Sequence, residues 1–299
     1  MWQLFALGSL FAAAGTSAAD KYAIVHDRKI HNLIAVFLRT AFFLTGILFI
    51  GLWGVLGHTQ VFFHPLIPLV AIVSVSGSFA YTYALRHVGA VEIGVVGYLL
   101  PFVFFAIDAI VLGTRFSPEQ ISGIILLVLG GLAFALDGKT HHISKEFSLS
   151  AIVMLAIMGL STGVHAYVFK YLNAHYALNG VSFYTNVETI IAIGLIAAIV
   201  ASGKVRLLWS RASLAYMPAT AIGKSLDAGA TILWAQALTL ATVSQVTAFQ
   251  ALSPLVLFIV VACGQILFKF TLKEQLDRPR ALWKTSAVCL LVLGGFLIT

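Results

Sequence analysis

Charge is scarce in this sequence. Asp, Glu, Lys and Arg make up 10% of its 299 residues, where a soluble domain carries about 25%. So few charges cannot coat a water-facing surface, which excludes a soluble enzyme or binding module. Cysteine is nearly absent: Cys263 and Cys289 are the only two, and both fall inside apolar runs. Neither a disulfide framework nor a zinc pattern is therefore present. There is no His-Glu-x-x-His, no Gly-x-Ser-x-Gly, no nucleotide-binding loop and no pair of acids at metal-ligand spacing. These absences argue against an intramembrane enzyme and against ATP-driven transport by this chain, and they call for no metal and no cofactor. No basic stretch precedes Trp2, so the first apolar segment does not read as a cleaved signal peptide. The net charge is +7, but the Lys and Arg sit mostly in short loops and read as topology determinants, not as a nucleic-acid surface.

What the sequence has is one apolar run after another. Hydrophobic residues make up 60% of it, and the mean hydropathy is +1.00. A bilayer core needs about 20 apolar residues per helix. Ten segments fit, at 2–24, 33–56, 66–86, 90–112, 118–137, 149–172, 180–202, 213–238, 243–268 and 281–298. The expected fold class is an all-α integral membrane protein of ten transmembrane helices.

The runs repeat. Leu-Leu-Val-Leu-Gly-Gly occurs at Leu126–Gly131 and again at Leu290–Gly295. Ala84-Leu85 precedes Pro101 at the spacing by which Ala237-Leu238 precedes Pro254. The longest polar stretch, 137–146, falls between segments five and six. The expected domains are a first five-helix repeat, 1–143, and a second, 144–299. An odd helix number sends the halves into the membrane from opposite sides, so the repeat is inverted, around a central cavity. Aligning the halves pairs Arg39 with Glu188 and Lys170 with Lys21, next to Asp20. It also pairs Ser74, Ser78 and Tyr81 with Asp227, Thr231 and Trp234.

These features together resemble the EamA-type transporters of the drug/metabolite transporter superfamily: five plus five helices, Ala-Leu before a short turn, a Pro-bearing fourth helix, Arg39 early in helix two and a Gly-rich fifth helix. The sequence departs from the family's Leu-Gly-Glu-Arg between helices four and five, where it has Leu112-Gly113-Thr114-Arg115. The resemblance implies a central cavity lined by the first, third, fourth, sixth, eighth and ninth helices, and amino-acid or related metabolite transport, often export.

Charge sets the expected orientation. Lys and Arg concentrate in loops after odd-numbered helices, among them Arg28, Lys29, Lys139, Lys204, Arg206, Lys273 and Arg280, while the even-numbered loops carry Arg115. Short-loop bias of this kind puts the odd loops in the cytoplasm and both termini outside, in a bacterial inner membrane. The resemblance implies the opposite, with both termini inside.

A charge at the bilayer centre costs at least ~2.5–3.5 kcal/mol, so charged residues within helices face protein or water. Asp20 and Arg39 are nearly equidistant from the first turn, and Lys170 and Glu188 hold the matching places with signs reversed. Two intramembrane ion pairs follow, Asp20–Arg39 and Lys170–Glu188. Lys224 and Asp227 share a face of helix eight at i and i+3, and Thr231 and Trp234 continue it. With Ser74, Ser78 and Tyr81 of helix three, and with His165, they form the expected substrate cavity. Asp108 faces either a water-filled vestibule or the interface, and Gln236 and Gln250 read as interhelical hydrogen-bonding residues. Pro101 and Pro254 should kink their helices as symmetric hinges. Gly130-Gly131 and Gly294-Gly295 allow close helix approach, either within a monomer or in a homodimer through the outer helices.

The expected function is a secondary transporter, an exporter, moving a small polar or zwitterionic, amino-acid-like metabolite through the bilayer by alternating access. An importer of a cationic metabolite such as choline is the alternative within this class. An intramembrane enzyme or a non-transporting scaffold is the alternative outside it.

Overall fold

The computed structural model describes residues 1–25, 49–87, 100–135, 149–201, 211–253, 255, 256, 259 and 278–298. Among these the regular structure is helical, with no strand. The helices are α1 (Trp2–Val25), α2 (Thr59–Phe62), α3 (Leu66–His87), α4 (Leu100–Ile110), α5 (Pro118–Ala135), α6 (Leu149–Tyr176), α7 (Gly180–Ala201), α8 (Arg211–Leu240), α9 (Val243–Phe249) and α10 (Arg278–Leu297). Residues 49–56 are also helical. Every long helix lies on one of the ten apolar segments. The short α2 and a 3-10 turn at Gln250–Leu252 are additions to the sequence reading. Among the described residues one stretch, Gly180–Ala198, is long and apolar enough by itself to cross a membrane. Leu66–Tyr81, Leu100–Ile110, Pro118–Ala133 and Ser286–Leu297 are shorter apolar helices.

The protein exposes many apolar side chains, and it buries several polar ones within a hydrophobic core. Leu4, Ile72, Val103, Leu160, Val292 and Phe296 are all more than half exposed, whereas Ser9, Thr16, Asp108, Asn186, Thr189 and Ser244 are buried. A water-soluble monomer rarely exposes large apolar patches, whereas lipid is a natural solvent for such a surface. The buried polar groups are tied across helices. The Asn186 side chain accepts from Trp53 Nε1 at 3.0 Å and from the His58 N–H at 3.1 Å, and donates to the His58 carbonyl at 3.1 Å. Thr189 donates to the Phe49 carbonyl, so α7 is fastened along the end of the second segment.

Packing follows a paired pattern. α1 packs chiefly on α8, α3 on α6, α4 on α9 and α5 on α10. The duplicated motif lies at the last of these contacts and packs on its own copy. A Cβ on Gly130 would stand 2.9 Å from Leu291 N, and one on Gly294 would stand 2.7 Å from Leu127 N and 2.9 Å from the Gly123 carbonyl. Leu127 and Leu291 hold the same place in the two copies. The glycines that left a choice between monomer packing and a dimer contact are thus used, at Gly130 and Gly294, inside the chain.

Turn chemistry fixes the helix ends. α4 closes at Gly113, whose φ of +65° lies in the left-handed region that favours glycine, so the Gly of Leu-Gly-Thr-Arg is required by its backbone. α9 opens with a reciprocal capping box between Thr242 and Gln245. The helix tightens at Gln250, whose carbonyl cannot receive a bond four residues on, because proline at 254 has no N–H. Of the two expected hinges, Pro101 is buried in the first described turn of α4, and Pro254 lies outside the described residues.

Candidate functional site

A cavity of about 370 Å³ opens between α1, α3, α6, α7, α8 and the 3-10 turn that follows α9. Each helix offers the face that its spacing dictates. α1 presents Ser9, Ala13, Thr16 and Ser17, at i, i+4, i+7 and i+8. α8 presents Lys224, Asp227, Thr231 and Trp234, and α3 presents Ser74, Ser78 and Tyr81. α6 presents Met158, Ser161, Thr162 and His165, and α7 presents Tyr184 and Glu188. Gln250 closes one corner. The structure therefore brings Ser74, Ser78, Tyr81, His165, Lys224, Asp227, Thr231 and Trp234 together around one space. α4, which the family resemblance places at the cavity, contributes no described lining residue; α7 does.

Hydrogen bonds between helices shape the walls. Ser74 Oγ lies 3.3 Å from His165 Nδ1 and ties α3 to α6. Thr16, the place matching His165 in the first half, donates to the Gly223 carbonyl of α8 at 3.2 Å. Tyr81 donates to Ser17 at 3.3 Å, and Ser161 to the Val73 carbonyl at 2.9 Å. That last bond crosses at Gly77, where any Cβ would meet Ser161.

The charges are arranged unevenly. Lys224 Nζ lies 3.2 Å from Asp227 Oδ2, and their side chains are 16% and 40% exposed. Glu188 stands one turn beyond Tyr184 on α7, within electrostatic reach of both Lys224 and Asp227. Two ring nitrogens at this wall, His165 Nε2 and Trp234 Nε1, are enclosed and have no hydrogen-bond partner among the described residues. An unpaired buried polar group costs about 1–3 kcal/mol. His165 and Trp234 meet edge to face, with ring centroids 6.0 Å apart.

The expected Lys170–Glu188 pair does not form: Lys224–Asp227 is the ion pair among the described residues. Helical geometry explains why. Lys170 is rotated about 140° from the cavity-facing His165 and shares the face of Tyr167, three residues before it. That face looks at Asp108 of α4, whose charge Lys170 feels. For the other expected pair, Arg39 and the side chain of Asp20 lie outside the described residues.

Asp108 lies away from the cavity and is buried, 1% exposed. Its carboxylate accepts from the Tyr167 hydroxyl at 3.1 Å and from the Ser244 N–H, at the start of α9, at 2.8 Å. Helix N-termini favour such a carboxylate. Asp108 thus faces neither a vestibule nor the lipid interface; it joins α4 to α6 and α9. Between the cavity and the even-numbered loops, Phe169, Leu172, Phe183, Leu238 and Val246 form an almost fully buried apolar layer.

An all-helical chain with an apolar exterior and an interior polar cavity has the form of a membrane transporter. Residues 1–136 match the sequence model of the EamA-like transporter family. Over this stretch the match agrees with the resemblance carried by the sequence motifs, and it points to a membrane transporter of the drug/metabolite type. No curated protein matches the sequence. A solved structure described only as "Crystal structure of protein" is similar, with a TM-score of 0.65 at 15% identity, covering 100% of this chain and 96% of that one. At that identity the likeness establishes the fold alone.

Proposed function

We propose that the protein is a secondary transporter of a small zwitterionic, amino-acid-like metabolite, working as an exporter by alternating access between two inverted five-helix repeats, 1–143 and 144–299. One observation carries the reading: helices of both halves bring charged, aromatic and hydroxyl side chains to a single cavity in a chain that is otherwise apolar. The cavity's volume lies in the range of small-molecule sites, about 300–1,000 Å³. The helix pairing supports the repeat, because exchanging the halves maps α1·α8 onto α3·α6 and maps α4·α9 and α5·α10 onto themselves.

With the basic odd-numbered loops read as cytoplasmic, the side of the cavity that carries the buried apolar layer lies outside the cell, as suits loading from the cytoplasm. A tag at either terminus should then be reached by an impermeant reagent on intact cells. Access only after permeabilisation would reverse the orientation.

Purified protein in proteoliposomes, offered labelled amino acids, amines, sugars and nucleotides, tests the function. Uptake or competition is expected within the first two classes. Lys224→Ala and Asp227→Ala should each lower the rate by about fivefold or more, the equivalent of ~1 kcal/mol. Movement of none of these compounds would refute the transporter reading. Full rates in both variants would remove α8 from the binding site.

A further inference from the structure

We infer that Glu188 receives a cationic nitrogen of the substrate. The inference rests on the transporter reading above and assigns the binding polarity of its cavity. Among the described lining residues there are two carboxylates, Glu188 and Asp227, and one ammonium, Lys224. Lys224 is held by Asp227 at 3.2 Å, so the cavity's cation is already engaged by an acid on its own helix. Glu188 has no cation within ion-pair distance among the described residues. Its neighbour one turn back is Tyr184, a hydroxyl that brings no charge.

A carboxylate at membrane depth is expensive unless it faces a partner or a water-filled space. Glu188 faces the space where a substrate would stand. A protonated amine or quaternary ammonium there would complete the charge balance, and an N–H donor would add a charge-assisted hydrogen bond.

A second observation fixes the rest of the ligand. Trp234 Nε1, on a side chain only 7% exposed, has no acceptor, and the neighbouring His165 Nε2 has no partner either. Trp234 is a donor only. A ligand that puts its cation on Glu188 and an oxygen acceptor near Trp234 would satisfy both, as an amino acid does with its ammonium and carboxylate.

Counterflow in proteoliposomes at equal pH on both sides tests this, with labelled L-amino acids and choline as probes and the N-acetylated amino acids as competitors. For each probe that the unaltered protein moves, Glu188→Gln should raise KM about tenfold or more, while Glu188→Asp, which keeps the charge, should recover part of the loss. The N-acetylated forms, which lack the cation, should compete poorly. Choline moving as well as the amino acids would show that the charge alone is read; amino acids moving alone would show that the N–H donors are read too. Elution of both variants as monodisperse protein rules out misfolding.

Unchanged KM in Glu188→Gln, or equal competition by N-acetylated forms, overturns the inference while leaving transport intact. So does normal counterflow with loss only of uptake driven by a pH gradient, since Glu188 would then carry a proton and not the substrate. Failure of the unaltered protein to move any probe refutes the transporter reading instead.

Discussion

Gly294→Val should yield little folded protein, and what is recovered should melt well below the unaltered chain. The added Cβ alone would stand 2.7 Å from Leu127 N, 2.9 Å from the Gly123 carbonyl and 3.0 Å from Leu126 Cβ. Two of these three are backbone atoms, which cannot swing aside as a side-chain tip can. The only relief is to push α10 off α5, and that opens the contact along its length. Overpacking of a core costs about 1–3 kcal/mol where side chains can yield, and here the cost should reach or exceed the upper figure. Gly130→Val meets Leu291 N at 2.9 Å and should behave alike. Gly194 is the control: on α7, a Cβ there would find nothing within 4 Å, so Gly194→Val should change stability by no more than the usual surface effect of about 0.5 kcal/mol. Thermal unfolding in detergent, followed by size-exclusion recovery, measures all three. Equal midpoints for Gly294→Val and Gly194→Val would show that the close approach is not needed.

Asp108→Ala should be the second most damaging change. Ser244 N–H would lose its acceptor at the buried start of α9, and the Tyr167 hydroxyl would retain only the Phe104 carbonyl, at 3.2 Å. Leaving a buried donor unpaired costs about 1–3 kcal/mol, and the emptied volume adds to it. A total of about 3 kcal/mol corresponds to a fall in melting midpoint of roughly 5–10 °C for a chain of this size. Asp108→Asn keeps one amide oxygen as acceptor and should lose about half as much. The same variants separate structure from binding: per folded molecule, Asp108→Ala should transport better than Lys224→Ala. Should Asp108→Ala stay fully stable yet transport nothing, the residue would belong to the binding machinery.

The two residues also show what the sequence made legible. Among the described residues, apolar run length and the duplicated glycine motif gave the positions of the long helices to within a few residues, because lipid demands length and close packing demands glycine. The i, i+3, i+4 spacing on α8 and α3 located the cavity wall, since helical periodicity alone decides which side chains share a face. Glu188 departs from the expected pairing for a physical reason. Symmetry equates depth in the membrane, and Lys170 and Glu188 match in depth, but pairing also needs facing sides, and α6 turns Lys170 toward α4. Asp108 was undecidable because its partners, Tyr167 and the Ser244 N–H, lie 59 and 136 residues away and one of them is backbone. The polar face of α1, with Ser9, Thr16 and Ser17, had a readable spacing, yet hydroxyls of this size in membrane helices usually bond within their own helix, as Thr162 does to the Met158 carbonyl.

The Asp108 contact joins α4 to α6 and α9, and at the place that the repeat pairs with Asp108 the sequence has no carboxylate. That place is held by Val261, whose side chain cannot accept from a backbone N–H. In the alternating-access reading proposed above, two halves related by inversion would otherwise make the inward-open and outward-open states near equals in free energy. A charged hydrogen-bond set worth about 1.5–3 kcal/mol on one side only tilts that balance by roughly ten- to a hundredfold. In the proposed orientation the tilt favours the state closed to the outside, so an idle transporter would wait facing its cytoplasmic supply.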